Sequence, residues 1–264
     1  MTQLLIDADF TLFQACSAVE REAVFTNEAG ASVHILNSAF DEALDTFERQ
    51  VQGHIKRLKG EEAVLVFSGP NNFRKEVWED YKANRKSVRK PLCYWPIIDH
   101  LRADGKYRVV SEDCLEGDDY IGILATRQSP VDRVIVSEDK DMQTLPNVKI
   151  WRQDKLVETT PESAEEFWLY QTLMGDSTDG YAGCPGIGPK SAEKVLMQAG
   201  DPWENVLQAY RAAYAKDKDP SKSKWLGRTP EDLALLNARL ARILHHTDWD
   251  SKARRPILWE PPAA

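Results

Sequence analysis

The sequence predicts an α/β fold: a central, mostly parallel sheet flanked by helices, followed by a helical C-terminal region. Three observations carry this expectation. Short apolar runs, among them Leu4-Leu5-Ile6, Ala63 to Phe67 and Val134-Ile135-Val136, are too short for helices and stop at polar or acidic residues, as buried strands do. Segments of helical period lie between them, the pattern of strand-helix-strand units. After residue 159 the texture becomes almost wholly helical.

Taken in order, Leu4 to Ile6 forms a strand that ends in Asp7-Ala8-Asp9, and Phe10 to Val19 is expected to be helical. Glu20 to Gly30 is polar and predicts a loop or weak hairpin. Phe40, Leu44, Phe47, Val51, Ile55 and Leu58 recur at helical spacing, with Gly60 as the expected stop. Ala63 to Phe67 is a second buried strand. Pro91 to Leu101 leads into a helix, and Tyr107 to Val110 is a third strand. A helix begins at Glu116, the Val134 strand follows, and strands around Val148 to Trp151 and Lys155 to Val157 form a pair. Thr160-Pro161-Glu162 is a strong helix start, an N-cap followed by proline and an acid, and Gly175 ends that helix. A further helix is expected from Ser191 to Ala199. Lys216 to Lys224 reads as a surface loop, and Thr229-Pro230-Glu231-Asp232 opens a last helix that buries Leu233, Leu236, Leu240 and Ile243 or Leu244. His245-His246 is read as a helix end on the surface.

Composition narrows the class. At 264 residues, 42% hydrophobic and 29% charged, the chain has the balance of a globular protein with a substantial core. No apolar run approaches the ~20 residues of a membrane span, and Met1 to Asp7 has no basic start of a signal peptide, so no membrane role is expected. The 4 cysteines, Cys16, Cys93, Cys114 and Cys184, are scattered without C-x-x-C spacing. Free thiols in a reducing cytoplasm are expected, and zinc is not. A net charge of −8 weighs against a nucleic-acid partner, although distribution matters more than the sum.

The acids are concentrated. Asp7 follows the first strand, Glu116-Gly117-Asp118-Asp119 opens a helix, Ser137-Glu138-Asp139-Lys140-Asp141 follows the Val134 strand, and Asp176-Ser177-Thr178-Asp179 follows the helix ended by Gly175. Acids crowded at the ends of buried strands must be protonated, solvated or neutralised by cations. Carboxylates without histidine or cysteine suit hard ions such as Mg²⁺ or Mn²⁺. The plain alternative is that Glu116 to Asp119 only cap a helix.

Between residues 81 and 90 lie five basic residues and no acid. Lys82, Arg85, Lys86 and Arg89 would share one face of a helix, extended by Arg74, Trp78 and Tyr81. Basic residues interleaved with aromatics suit a phosphate backbone and stacked bases; a solvated helix face is the alternative. Gly186 and Gly188, spaced by one residue at the mouth of the helix expected from Ser191, would let backbone amides approach an anion; an ordinary helix-helix turn is the alternative.

The order of these motifs resembles the 5′-3′ exonuclease and flap endonuclease family, and most of all the short phage replication exonucleases. The resemblance rests on Asp7, Tyr81 to Lys86, Glu116 to Asp119, Ser137 to Asp141, Met174 to Gly180 and Gly183 to Ala192. It implies a PIN-like nuclease domain over residues 1–159 with a helical arch at about 71–102. It implies a helical DNA-binding region over 160–264 with a helix-three-turn-helix at about 176–200. It further implies two-metal hydrolysis of DNA at 5′ ends, flaps, nicks or gaps, with RNA-DNA hybrids as further substrates, by a monomer in a host cytoplasm. Asp7, Glu116, Asp118 and Asp139 are the expected ligands of one ion. Asp119, Asp141, Asp176 and Asp179 are expected to place the second. Tyr81, Lys82 and Arg85 match the catalytic arch residues. Arg74, Lys86, Arg89, Gly183, Gly186, Gly188 and Lys190 are the expected DNA contacts, with K⁺ at the glycine turn. Several relatives carry a further metal-site aspartate after the second strand, where this chain has Gly69; Asp9 is the neighbour that could partly stand in. A toxin-like PIN-domain ribonuclease and a catalytically silent DNA-binding protein are the competing readings.

Overall fold

The computed structural model describes residues 1–85, 89–219, 225 and 227–262. The chain runs β1 (Thr2–Asp7), α1 (Ala8–Val19), a hairpin of β2 (Arg21–Thr26) and β3 (Ser32–Asn37), α2 (Phe40–Leu58), β4 (Glu62–Val66), α3 (Arg74–Val77), α4 (Tyr94–Asp104) and β5 (Arg108–Val110). It continues through α5 (Gly117–Thr126), β6 (Asp132–Val136), β7 (Lys149–Arg152) and β8 (Lys155–Glu158). Then come α6 (Pro161–Met174), α7 (Pro189–Leu196), α8 (Pro202–Lys216), α9 (Pro230–Ala241) and a short pair, β9 (Trp249–Asp250) and β10 (Arg255–Pro256).

The main sheet has 6 strands in the order β5-β4-β1-β6-β7-β8. Every pairing in it is parallel except β7 with β8. Both faces are covered, which explains why its strands read as continuous apolar runs instead of alternating ones. Leu4, Ile6, Leu65, Phe67, Val134 and Val136 pack on one side with α1, α2 and α4. Leu5, Val64, Val66, Ile135 and Ile150 pack on the other with Ile121 of α5 and Met142 and Leu145. A separate core joins α6 to α9, built on Trp168, Leu173, Tyr210, Leu233 and Leu240. No helix among the described residues is long and apolar enough to cross a membrane.

In this order β1 is the switch point: the chain goes to β4 on one side and to β6 on the other. Open α/β sheets form their crevices at the carboxyl ends of strands around such a point. Register levels those ends, with Asp7 beside Val66 and Ile6 beside Val136.

Several expectations change in detail. The segment after Glu20 is a full hairpin. Helix α2 ends on Lys59, whose φ of 53° takes the left-handed position expected of a glycine. Gly60 is instead needed for space, since a Cβ there would lie 2.7 Å from Leu4. Thr160 and Thr229 cap α6 and α9 as expected. Helix α9 stops at Ala241, so Ile243 and Leu244 are buried from the segment beyond it. The basic stretch is not one helical face in its described part: Lys82 has φ 55°, and only a 3-10 turn spans Ala83–Arg85. Lys86 lies outside the described residues.

Helix α5 crosses the 243–244 segment at Gly122, where a Cβ would meet the Leu244 carbonyl oxygen at 2.4 Å and Ile243 and Leu145 at 2.8 Å. Gly122→Ala would gain about 1 kcal/mol of helix propensity, but overpacking a tight interior costs more. A net loss of about 2 kcal/mol is expected in urea unfolding; an unchanged or higher midpoint would show that α5 is free to shift.

Candidate active site

The strand ends open into a cleft of about 640 Å³, lined in part by Asp7, Asp9, Glu116, Asp118, Glu138 and Asp139, with Lys82, Arg85 and Lys90 as its cations. Asp7 is the last residue of β1. Glu116 and Asp118 come from the first turn of α5, and Glu138 and Asp139 from the turn after β6. Ser137 stitches two of these together: its hydroxyl donates to Asp7 at 2.9 Å and accepts from the Asp139 amide at 3.0 Å. Asp139 in turn accepts from the Asp141 amide at 2.8 Å, which fixes the turn carrying both acids.

The acids fall into two electrostatic territories. On one side burial, reinforced by Asp9 and Asp139, lifts the Asp7 carboxyl to about 6. Burial also lifts Asp118 well above the carboxylate range, with Asp7 and Asp139 adding repulsion. Asp141 is raised to about 6 by burial and by Asp139, although Gln171 donates to it. On the other side burial would raise Glu116, but Lys82 and Arg74 outweigh it and hold the group at about 2. Lys82 Nζ is 2.5 Å from Glu116 and 3.6 Å from Asp179, and Arg85 is 2.9 Å from Asp179. Asp179 is still shifted upward by burial and by Glu116. Asp176 pairs with Lys140 at 3.1 Å, which overcomes burial and lowers it.

Three expected roles are corrected. Asp119 is fully buried and does not line the cleft. Its oxygens accept from Arg74 at 2.6 and 2.8 Å and from the Leu244 amide at 3.2 Å, so it is committed to an internal ion pair. Arg74, 3% exposed, is therefore a strut and not a DNA contact. Gly183 is buried back to back with Gly175, where a Cβ on Gly183 would lie 2.3 Å from the Gly175 nitrogen; its amide has no open approach. Gly186 and Gly188 have open space around them, and Lys190 is exposed. Arg89 is exposed but paired with Glu20. Tyr81 is 2% exposed, and its hydroxyl stands 3.0 Å from both Glu116 and Asp179. It positions those acids from beneath the cleft floor.

Sequence reasoning passed over Glu138, Lys90, Tyr94 and Trp95, which also line the cleft. Glu138 was legible as one of five polar residues after β6. The aromatic wall was not, since nothing in the spacing shows which strand end α4 will meet. Asp9 lies at the end of β4: its carboxylate accepts from the Ser68 amide at 2.8 Å and from the Tyr94 hydroxyl.

The donor set is oxygen only, and the described cysteines lie outside the cleft lining. Crowded, partly desolvated acids of this kind fit hard divalent cations. Among the described residues, no three acids, histidines or cysteines converge as a finished metal cage. Repulsion around Asp118 should destabilise the metal-free protein. Asp118→Asn should raise the melting temperature in chelator by about 3 °C and abolish most of the further rise that Mg²⁺ or Mn²⁺ gives the parent chain. A lower melting temperature in chelator would show that Asp118 is stabilised by partners and not strained by them.

Comparison with known proteins identifies the family and the fold. The family described as 5′-3′ exonuclease, N-terminal resolvase-like domain, matches residues 2–168. The exonuclease of Escherichia phage T7 is 32% identical, covering 98% of this chain and 93% of its own length. The exodeoxyribonuclease of Enterobacteria phage T3 is 31% identical, with 98% and 92% covered. Among solved structures, the phage T5 D15 protein co-crystallised with metal ions superposes with a TM-score of 0.59 at 16% identity, covering 91% of this chain and 89% of that one. The fold is shared, and the chain belongs to the 5′-3′ exonuclease family of nucleases.

Proposed function

We propose that the protein is a structure-specific 5′ nuclease that hydrolyses DNA phosphodiesters from 5′ ends and at 5′ flaps, acting as a monomer in DNA replication of the phage type. The observation that carries the reading is the convergence of Asp7, Glu116, Asp118 and Asp139 from three separate stretches of chain onto one cleft that also holds Lys82 and Arg85. In the proposal Asp7, Glu116, Asp118 and Asp139 hold a first Mg²⁺ or Mn²⁺ ion, and Asp141, Asp176 and Asp179 place a second, partly through water. When bound, such ions stabilise charge on the attacking and leaving oxygens and lower the pKa of an attacking water.

The chain's own residues supply the rest. Lys82 and Arg85 bring positive charge to the scissile phosphate once they exchange their carboxylate partners for it. Tyr81 keeps Glu116 and Asp179 apart at a fixed spacing. The division at residue 159 into a nuclease core and a helical region follows the separate hydrophobic core of α6 to α9. In that region the turn through Gly186 and Gly188 and exposed Lys190 approach duplex backbone as a helix-three-turn-helix, with K⁺ as a further ligand there. RNA-DNA hybrids join the substrate range because recognition is through backbone and strand ends.

The test is incubation of 5′-labelled flap, nicked and blunt duplexes, with single-stranded RNA as comparator, with and without Mg²⁺. Short products from the 5′ strand of the DNA substrates, dependent on Mg²⁺, are expected. Asp139→Asn should abolish cleavage while changing duplex affinity by no more than a few-fold. Lys82→Ala should lower kcat by about 10²–10³-fold and KM far less; near-normal turnover by either variant would overturn the assignment.

A further inference from the structure

One wall of the cleft is unlike the rest. Trp95 sits in the first turn of α4, 59% exposed, on the lip of the acidic cleft. It is held there from behind. Its ring stands edge-on to Tyr94 with centroids 5.1 Å apart, and Tyr94 is buried with its hydroxyl on Asp9. Phe10, 43% exposed, lines the same wall. Lys90 lies 4.1 Å from the Tyr94 ring centroid, which puts a cation beside the aromatic wall.

A tryptophan held by a buried neighbour but open on its outer surface exposes area that water disfavours, and it does no packing work there. Flanked by a cation and set beside acids that repel phosphate, it fits a group that is flat, apolar on its faces and attached to an anionic chain. An unpaired nucleobase has that chemistry, and stacking tolerates any base because every base has a π-face. We propose that Trp95 is a stacking platform for an unpaired nucleobase of the strand being cut, positioning that strand's backbone against Lys82 and Arg85. The inference rests on the nuclease reading and adds a positioning residue to it.

The experiment uses the full chain, with flap substrates carrying a single abasic site at each of the first few nucleotides flanking the scissile bond. Cleavage is followed with Mg²⁺, and binding by fluorescence anisotropy with Ca²⁺ in its place. Trp95→Ala should raise KM and weaken binding about tenfold with kcat little changed, while Trp95→Phe should stay within about threefold. For the parent chain, one abasic position should weaken binding by the same factor, and Trp95→Ala should be indifferent to that position. Penalties that multiply instead, or a Trp95→Ala chain that binds normally, would overturn the platform. Failure of the parent chain to cut any substrate would overturn the nuclease reading alone, because the anisotropy comparison stands without turnover.

Discussion

The position of the cleft depends on one buried ion pair. Arg74 donates to Asp119 through two nitrogens, to Glu116 at 3.3 Å, and to the carbonyls of Leu240 and Arg242 at 3.1 and 2.6 Å. These contacts use all five guanidinium donors. Taking two charges out of water is expensive, and such a pair persists only when its remaining hydrogen-bonding capacity is met, as it is here. The pair joins three parts of the chain, α3 before the basic segment, α5 with Glu116 and Asp118, and the segment leaving α9, which also meet through Phe73, Leu115, Ile123 and Leu244. The sheet layer and the helices α6 to α9 are thus fastened beside the first turn of α5, which carries Glu116 and Asp118.

On that frame the cleft is electrostatically uneven. Glu116, in direct contact with Lys82 and Arg74, is held ionised; at Asp7 and Asp118 burial and mutual repulsion prevail and ionisation is resisted, although Lys82 partly offsets this at Asp118. Lys82 stands at the boundary. Its own charge is favoured because Glu116, Asp179 and Asp118 outweigh the burial that opposes it. A lysine so placed neutralises Glu116 by direct contact and only partly offsets the repulsion at Asp118, leaving the Asp7 side short of positive charge. That deficit is what a bound divalent cation would relieve.

The sheet and its acids were legible because burial on both faces writes a continuous apolar run, and the run's end marks the strand's end. Asp7 and Asp139 could be placed at one edge from that alone. Asp119 shows where adjacency misleads: neighbours on a helix point about 100° apart, and here Asp118 turns to the cleft while Asp119 turns to Arg74. The helix start at Glu116 was visible, and the divergence could have been read from it. The partner of Asp119 could not, because Arg74 is 45 residues away and looked like part of a basic surface. The basic stretch misled for a different reason. Its spacing fits a helical face, but Lys82 takes a left-handed conformation and its amide donates to the Asp179 carbonyl, so tertiary pairing overrode the local period.

Gly69 links these threads. A Cβ there would lie 1.9 Å from the Glu112 carbonyl oxygen and 2.4 Å from that of Asp113, so the turn before α5 occupies the space an acidic side chain would leave through. The close approach is held by hydrogen bonds from Gly69, Asn71 and Phe73 amides to Leu115, Asp113 and Cys114 carbonyls. The glycine is therefore part of how the 112–115 turn seats Glu116, and an acid could not be restored at position 69 without moving that turn. Negative charge reaches the end of β4 by another route, from Asp9 across the Ser68 amide. The same carboxylate accepts from Tyr94, so one acid ties the end of β4 to the first turn of α4, from which Trp95 projects at the lip of the cleft.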